Sequence, residues 1–165
     1  MSDYKITGGT IYPQGIAETS TTQNVPLGTR VRAVDATYGA GEFIYLLGVA
    51  STAVGSWVHF NADDWSTALT AANGIGPVAI SMSANVASQY GWYQIYGKAV
   101  GKALASYADN ASVYLTATAG SVDDAVVDGD MVHNAKGASA VGTPSTGLAE
   151  FEIQYPYTDD IATND

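Results

Sequence analysis

The stretch Tyr90-Gly-Trp-Tyr-Gln-Ile-Tyr-Gly-Lys-Ala-Val100 decides the fold class. Four aromatic residues and an isoleucine fall within the seven positions from Tyr90 to Tyr96. Large flat side chains at that density suit a pleated surface better than a helical turn. Successive side chains of a strand leave opposite faces, so Trp92, Gln94 and Tyr96 are expected on one side and Tyr93 and Ile95 on the other. Apolar bulk on both sides predicts a central strand covered on both faces. Gly91 and Gly97 bracket it, where a strand bends or admits a second backbone.

The flanking sequence reads the same way. Glu42-Phe-Ile-Tyr-Leu-Leu-Gly48 carries a continuous apolar run of strand length, preceded by the weakly alternating Arg30–Asp35 and a turn expected at Gly39-Ala-Gly41. Gly55-Ser56 turns into a half-buried strand in which Trp57, His59 and Asn61 oppose Val58 and Phe60. Residues 67–72 are expected to return as the second arm of a hairpin. A helix is the competing reading, because Trp65, Ala68, Leu69 and Ala72 make an apolar stripe that Asp64 would cap. Val78, Ile80 and Met82 alternate with Ala79, Ser81 and Ser83, and Val113, Leu115 and Ala117 with Tyr114, Thr116 and Thr118. Residues 98–107 are compatible with strand, turn or one helical turn. Residues 120–130 read as an acidic loop, Met131–His133 as a short strand and 137–147 as a Gly/Ser/Thr/Pro loop. In the last strand Leu148, Glu150, Glu152 and Gln154 oppose Ala149, Phe151, Ile153 and Tyr155, giving one wet face. Short, evenly spaced strands with glycine-rich turns and no long helical period predict an all-β fold, an antiparallel barrel or sandwich.

The first 27 residues differ. They are rich in Thr, Gln, Gly and Ser and sustain neither a period of two nor one of 3.6. An extended N-terminal arm over 1–27, with short strands at Tyr4–Ile6 and near Ile11–Tyr12, is expected to precede a single β-domain over 28–165. A disordered tail is the alternative.

A 165-residue chain buries roughly 70% of its unfolded surface, so a substantial core needs no staples. There is no cysteine, which excludes disulfides and thiolate chemistry. Only 13% of residues are charged, against about a quarter in ordinary soluble domains, so much of the surface is neutral. Such a surface suits a subunit that lies against neighbours. The net charge is −10 and the six basic residues are scattered along the sequence, which argues against nucleic acid as a partner. No apolar run reaches the ~18 residues of a membrane span, and the start lacks the regions of a signal peptide, so a chain made in the cytoplasm and independent of membranes is expected.

Candidate chemistry is sparse. His59 and His133 are the only histidines, with Asp63, Asp64, Asp128 and Asp130 near them in sequence, but no serine sits in a nucleophile-elbow context. Structural roles are favoured for both histidines, and no catalytic residue is assigned. Asp123, Asp124, Asp128 and Asp130 do not match EF-hand spacing and read as a solvated turn, so no metal site is assigned. Gly74-Ile-Gly-Pro77 only superficially resembles a dinucleotide fingerprint, because Pro77 and the strand after it remove the helix that would hold phosphates. No cofactor is expected. A faint echo links Gly55-Ser-Trp-Val-His59 with Gly129-Asp-Met-Val-His133. Tryptophans 57, 65 and 92 offer a sugar platform only if exposed, and their place in alternating strands favours core or interface.

The layout from Gly41-Glu-Phe-Ile-Tyr45 through Val54-Gly-Ser-Trp-Val58 and Gly91-Trp-Tyr-Gln-Ile-Tyr-Gly-Lys-Ala99 to Val127-Asp-Gly-Asp-Met-Val132 resembles the capsid decoration proteins of tailed bacteriophages. The likeness covers about residues 28–157 and is one of pattern, not of a diagnostic site. The resemblance implies a non-enzymatic β-rich cement protein on the outer surface of the virion, a homotrimer that binds the major capsid protein between capsomers of the expanded shell. Under that expectation the arm adds to a neighbouring sheet edge, with Tyr4, Ile6, Ile11 and Tyr12 as candidate capsid-contact residues. The chain is longer than many proteins of this kind. A carbohydrate-binding or adhesive virion β-domain is the alternative function, and an enzyme is the least favoured.

Overall fold

The structure is a computed structural model and describes residues 3–7 and 12–162. Among these there is no helix. The strands are β1 (Lys5–Thr7), β2 (Thr19–Ser20), β3 (Arg30–Asp35), β4 (Gly39–Leu47), β5 (Trp57–Phe60) and β6 (Thr67–Leu69), then β7 (Gly76–Ser81), β8 (Tyr90–Lys102), β9 (Ser112–Leu115), β10 (Val122–Asp123), β11 (Met131–Gly137) and β12 (Leu148–Thr158). The fold is therefore all-β. The strands form one antiparallel sheet in the order β1-β3-β4-β8-β7-β12-β11-β9-β10, with β2 on β8 and the β5–β6 hairpin branching from β7. The sheet folds over its own core without closing into a barrel. Residues 67–69 make the hairpin arm, not the competing helix.

The aromatic strand is the hub. Along one edge of β8, Tyr90 to Tyr96 pair with β4. Along the other edge, Gly91 meets Thr19, Gln94 meets Ile80, and Tyr96 to Lys102 run along β12. In β4, Phe43 and Tyr45 face a cluster with Trp92, Val31, Ala33 and Val25, whereas Ile44 and Leu46 face a second with Tyr93, Ile95, Val58 and Phe60. Cover on both faces explains why β4 and the first half of β8 read as unbroken apolar runs. A third cluster, built on Trp57, Phe151, Tyr107 and Leu115, fills the space between β5, β7, β9, β11, β12 and the second half of β8.

Three departures from simple alternation shape the molecule. In β8, Phe43 pairs with Gln94 but Glu42 pairs with Tyr96, so Ile95 is the extra residue of a β-bulge. Ile95 stays in the core with Tyr93, and Tyr96 turns to the side of Glu42, away from Trp92 and Gln94, whose face alternation alone assigned to it. Gly97 follows at φ 104°, where an added Cβ would lie 2.6 Å from the Ala40 carbonyl oxygen, so only glycine fits. In β12, Ala135 pairs with Ile153 and His133 with Tyr157, leaving one residue of β11 opposite three of β12. Tyr155, at φ 54°, consequently points outward, not inward with Phe151 and Ile153 as expected. In the β3–β4 hairpin the chain turns at residues 36–38, before the glycines. The Asp35 carboxylate accepts the amides of Thr37 at 2.7 Å and Tyr38 at 2.9 Å.

The first 27 residues are not the separable arm that their lack of period predicts. β1 pairs with β3, and Tyr4, Ile16 and Val25 are buried in the cluster around Trp92. Buried Gln14 accepts from the Tyr45 hydroxyl at 2.5 Å, and its backbone carbonyl accepts from the Trp92 indole at 3.1 Å. Such contacts come from widely spaced anchors with irregular backbone between them, which no periodic pattern records. Similarly, the loop at 120–130 holds strand β10, the fully buried Val122 and the buried Asp130.

Deleting residues 2–27 removes three buried apolar side chains, each worth about 2–5 kcal/mol by analogy with core truncations. The shortened chain is expected to unfold at a markedly lower urea concentration or not to fold. An unchanged unfolding midpoint would contradict the packing described.

Candidate functional site

The histidines and the aspartates 124 and 130 are engaged in holding the chain. The Thr158 hydroxyl donates to the Gly74 carbonyl at 2.6 Å, so it must accept from His59, whose Nε2 lies 2.8 Å away. The hydrogen bond places a proton on Nε2, and burial, which disfavours the imidazolium, pushes the His59 pKa below its ordinary value. A Cβ on Gly74 would lie 2.3 Å from the imidazole Cε1, so the ring is boxed in from that side. His133 stacks on Tyr157, with ring centroids 4.8 Å apart, and places Nε2 3.3 Å from the Asp159 carboxylate.

The two histidines thus grip consecutive residues at the end of β12, Thr158, the last of the strand, and Asp159, just beyond it. The echo between their segments is structural as well. Gly55 and Gly129 both take positive φ, 82° and 83°, and Val58 and Val132 are both fully buried.

The carboxylates are used in the same manner. Asp130 accepts the Asn73 amide at 2.5 Å and Asp124 accepts the Ala108 amide at 2.9 Å, each tying one loop to another. For Asp35, burial raises the carboxyl pKa, but the amides of Tyr38, Asp3 and Thr37 outweigh it and hold the group below the usual range. Among the described residues no group of three or more His, Asp or Glu side chains is arranged to hold a metal ion. Two open surface clefts of about 450 Å³, one along Tyr4, Ile6 and Ile16 and one beside His59, Phe60 and Pro77, reach the volume of a ligand pocket, whereas a third of about 200 Å³ between Tyr38, Met82 and Leu148 falls below the roughly 300 Å³ at which such pockets begin.

Trp57 and Trp92 are fully buried and the Trp65 ring lies against Gly28, which removes the first two from any sugar platform. The candidate contact residues of the arm are placed inward as well. Tyr4 packs edge-on against Phe43 and donates to the Lys98 carbonyl at 3.0 Å. Ile6 and Tyr12 pack against the same cluster, and Ile11 lies outside the described residues.

What the fold leaves uncovered is one face of the sheet. The side of β4 and β8 that buries Ile44 and Tyr93 under β5–β6 emerges at its other end without a covering layer. Lys5, Arg30, Arg32 and Val34 of β1 and β3 stand there beside Glu42, Tyr96 and Tyr155. Tyr96 and Tyr155 are in contact, with centroids 5.5 Å apart, and the Tyr155 hydroxyl donates to Glu42. That hydrogen bond holds the phenol pKa above its ordinary value. Both arginines of the chain lie on this face. Arginine and tyrosine are among the residues enriched where proteins bind one another. Composition alone did not single the face out, because the bulge at Ile95 and the irregularity at Tyr155 bring Tyr96 and Tyr155 onto it. No protein-family model, curated protein or solved structure matches the chain.

Because His59 has a folded pKa below its unfolded value of about 6.5, its contribution to stability is complete above that pH and is lost as pH falls through the folded value. Replacing His59 with Gln keeps a donor for Thr158 and removes the titration. The wild type should lose more stability than His59→Gln between pH 8 and pH 5, a window above the range in which Asp35 titrates. Parallel urea midpoints for the two proteins would show that His59 does not set this dependence.

Proposed function

We propose that the chain is a non-enzymatic structural protein that decorates the expanded capsid of a tailed phage. It binds the major capsid protein between capsomers on the outer surface and does so as a homotrimer. The observation that carries the reading is the uncovered sheet face with Arg32, Val34, Tyr96 and Tyr155 at its centre, a surface whose chemistry is that of a protein interface. The engagement of His59, His133, Asp124 and Asp130 in internal contacts supports binding over catalysis. The resemblance of the strand layout to decoration proteins supplies the capsid as partner. Three copies multiply modest contacts through avidity, so each interface need only be weak.

Sedimentation of the purified protein with expanded, undecorated capsids tests the reading directly. Saturable co-sedimentation at micromolar concentration is expected, and the double variant Tyr96→Ala/Tyr155→Ala, which weakens the contact between copies and with it the avidity, should be retained on the order of tenfold more weakly. Failure of the wild-type protein to sediment with capsids would overturn the assignment.

A further inference from the structure

Large apolar side chains exposed to solvent are concentrated in two places. Among the described residues the most exposed are Val34, Ile75, Val86, Tyr96, Val126, Val127, Tyr155, Tyr157 and Ile161. Val34, Tyr96 and Tyr155 belong to the uncovered sheet face. Ile75, Val126, Val127, Tyr157 and Ile161 stand on three segments, 73–76, 124–130 and 157–162, that meet at the end of β12. The Asn73 amide donates to Asp130, Thr158 donates to the Gly74 carbonyl, and a Cβ on Gly129 would sit 3.0 Å from the Asp160 carboxylate. Of the nine residues only Val86 lies elsewhere, so the two patches account for almost all of the exposed apolar bulk.

Their charges are opposite. The sheet face carries Lys5, Arg30 and Arg32, half of the basic residues of a chain with net charge −10, against two acids, Asp3 at 2.7 Å from Lys5 and Glu42 at 3.8 Å from Arg32, so bases exceed acids there. The apex contains no Lys or Arg in any of its three segments, and its rim holds Asp124, Asp128, Asp159 and Asp160. The patches abut along β12, where Tyr155 belongs to one, Tyr157 to the other, and the buried Pro156 lies between them. An apolar surface rimmed by acids fits an apolar surface flanked by bases, and this chain presents both.

We infer that the two patches are the two halves of one heterologous contact between copies of this chain, the basic aromatic face of one protomer seated on the acidic apolar apex of the next. Contacts of this type close into rings when the rotation allows, and two patches that abut bring successive protomers around quickly. The inference rests on the proposed self-association and specifies its surfaces. It does not depend on the capsid as partner.

Light scattering of the full-length protein tests it. The wild type should show a mass above one copy at low salt, with association weakening as salt rises. Arg30→Glu/Arg32→Glu and Asp124→Lys/Asp128→Lys should each associate on the order of tenfold or more weakly, and an equimolar mixture of the two should associate again. The milder Arg32→Gln and Asp128→Asn serve if either charge reversal fails to fold, each again with weakened association. A monomeric wild type, a mass that stops at two copies, or association unmoved by either variant would overturn the inference. Capsid co-sedimentation of the same wild-type sample is scored separately, so loss of the head-to-tail contact and loss of the capsid reading give different results.

Discussion

The side chain of Gln94 holds the one irregularity on which the architecture depends. Its amide nitrogen donates to the backbone carbonyls of Tyr96 at 3.1 Å and Lys98 at 3.2 Å, spanning the bulge at Ile95 and the left-handed Gly97. Tyr4 donates to the same Lys98 carbonyl, so the N-terminal segment is fastened at the point where β8 changes direction. The bulge lets one strand do two jobs. Before it, β8 is sandwiched between two aromatic clusters; after it, the strand leaves β4 and runs beside β12 over the third. Without the extra residue the alternation would carry Tyr96 into the side of Trp92.

A chain with so few charges must decide where to spend them. Here several buried or half-buried polar groups close a turn or tie a loop to its neighbour. Asp35 organises the β3–β4 turn, Asp130 and Thr158 tie loop 73–76 to the end of the sheet, and Asn85 donates to the Tyr93 hydroxyl at 2.9 Å. The few ion pairs lie toward the surface, as with Lys5–Asp3 and Lys136–Glu152, where solvent screening leaves each worth little. Stability therefore comes from aromatic packing. The polar side chains specify which loops meet, and their work is positional.

The same economy shapes the exterior. Large side chains that the core does not use are gathered on the uncovered face and at the apex instead of scattered singly, with an excess of bases on the first and of acids at the second. Isolated exposed apolar residues are ordinary on any protein, but clusters with a charged rim are the form that binding surfaces take. Tyr155 shows how such a surface is made. A left-handed residue in a strand is held there by a hydrogen bond to Glu42 and by the ring of Tyr96, and its phenol faces solvent as a consequence.

The all-β class and the positions of β4, β7, β8 and most of β12 were legible in the sequence, because burial on a pleated surface is written as a period of two or as an unbroken apolar run. What the sequence could not carry were features set by partners far along the chain. The bulge at Ile95 looks like any other residue of an aromatic strand until Glu42 and Phe43 supply the register. The role of Tyr4 depends on a carbonyl 94 residues away, and that of Tyr155 on a carboxylate 113 residues away. His59 and His133 converge on Thr158 and Asp159 only when the sheet is assembled. Local pattern records which side chains seek burial, whereas register, bulges and the meeting of loops are decided by the global closure of the sheet.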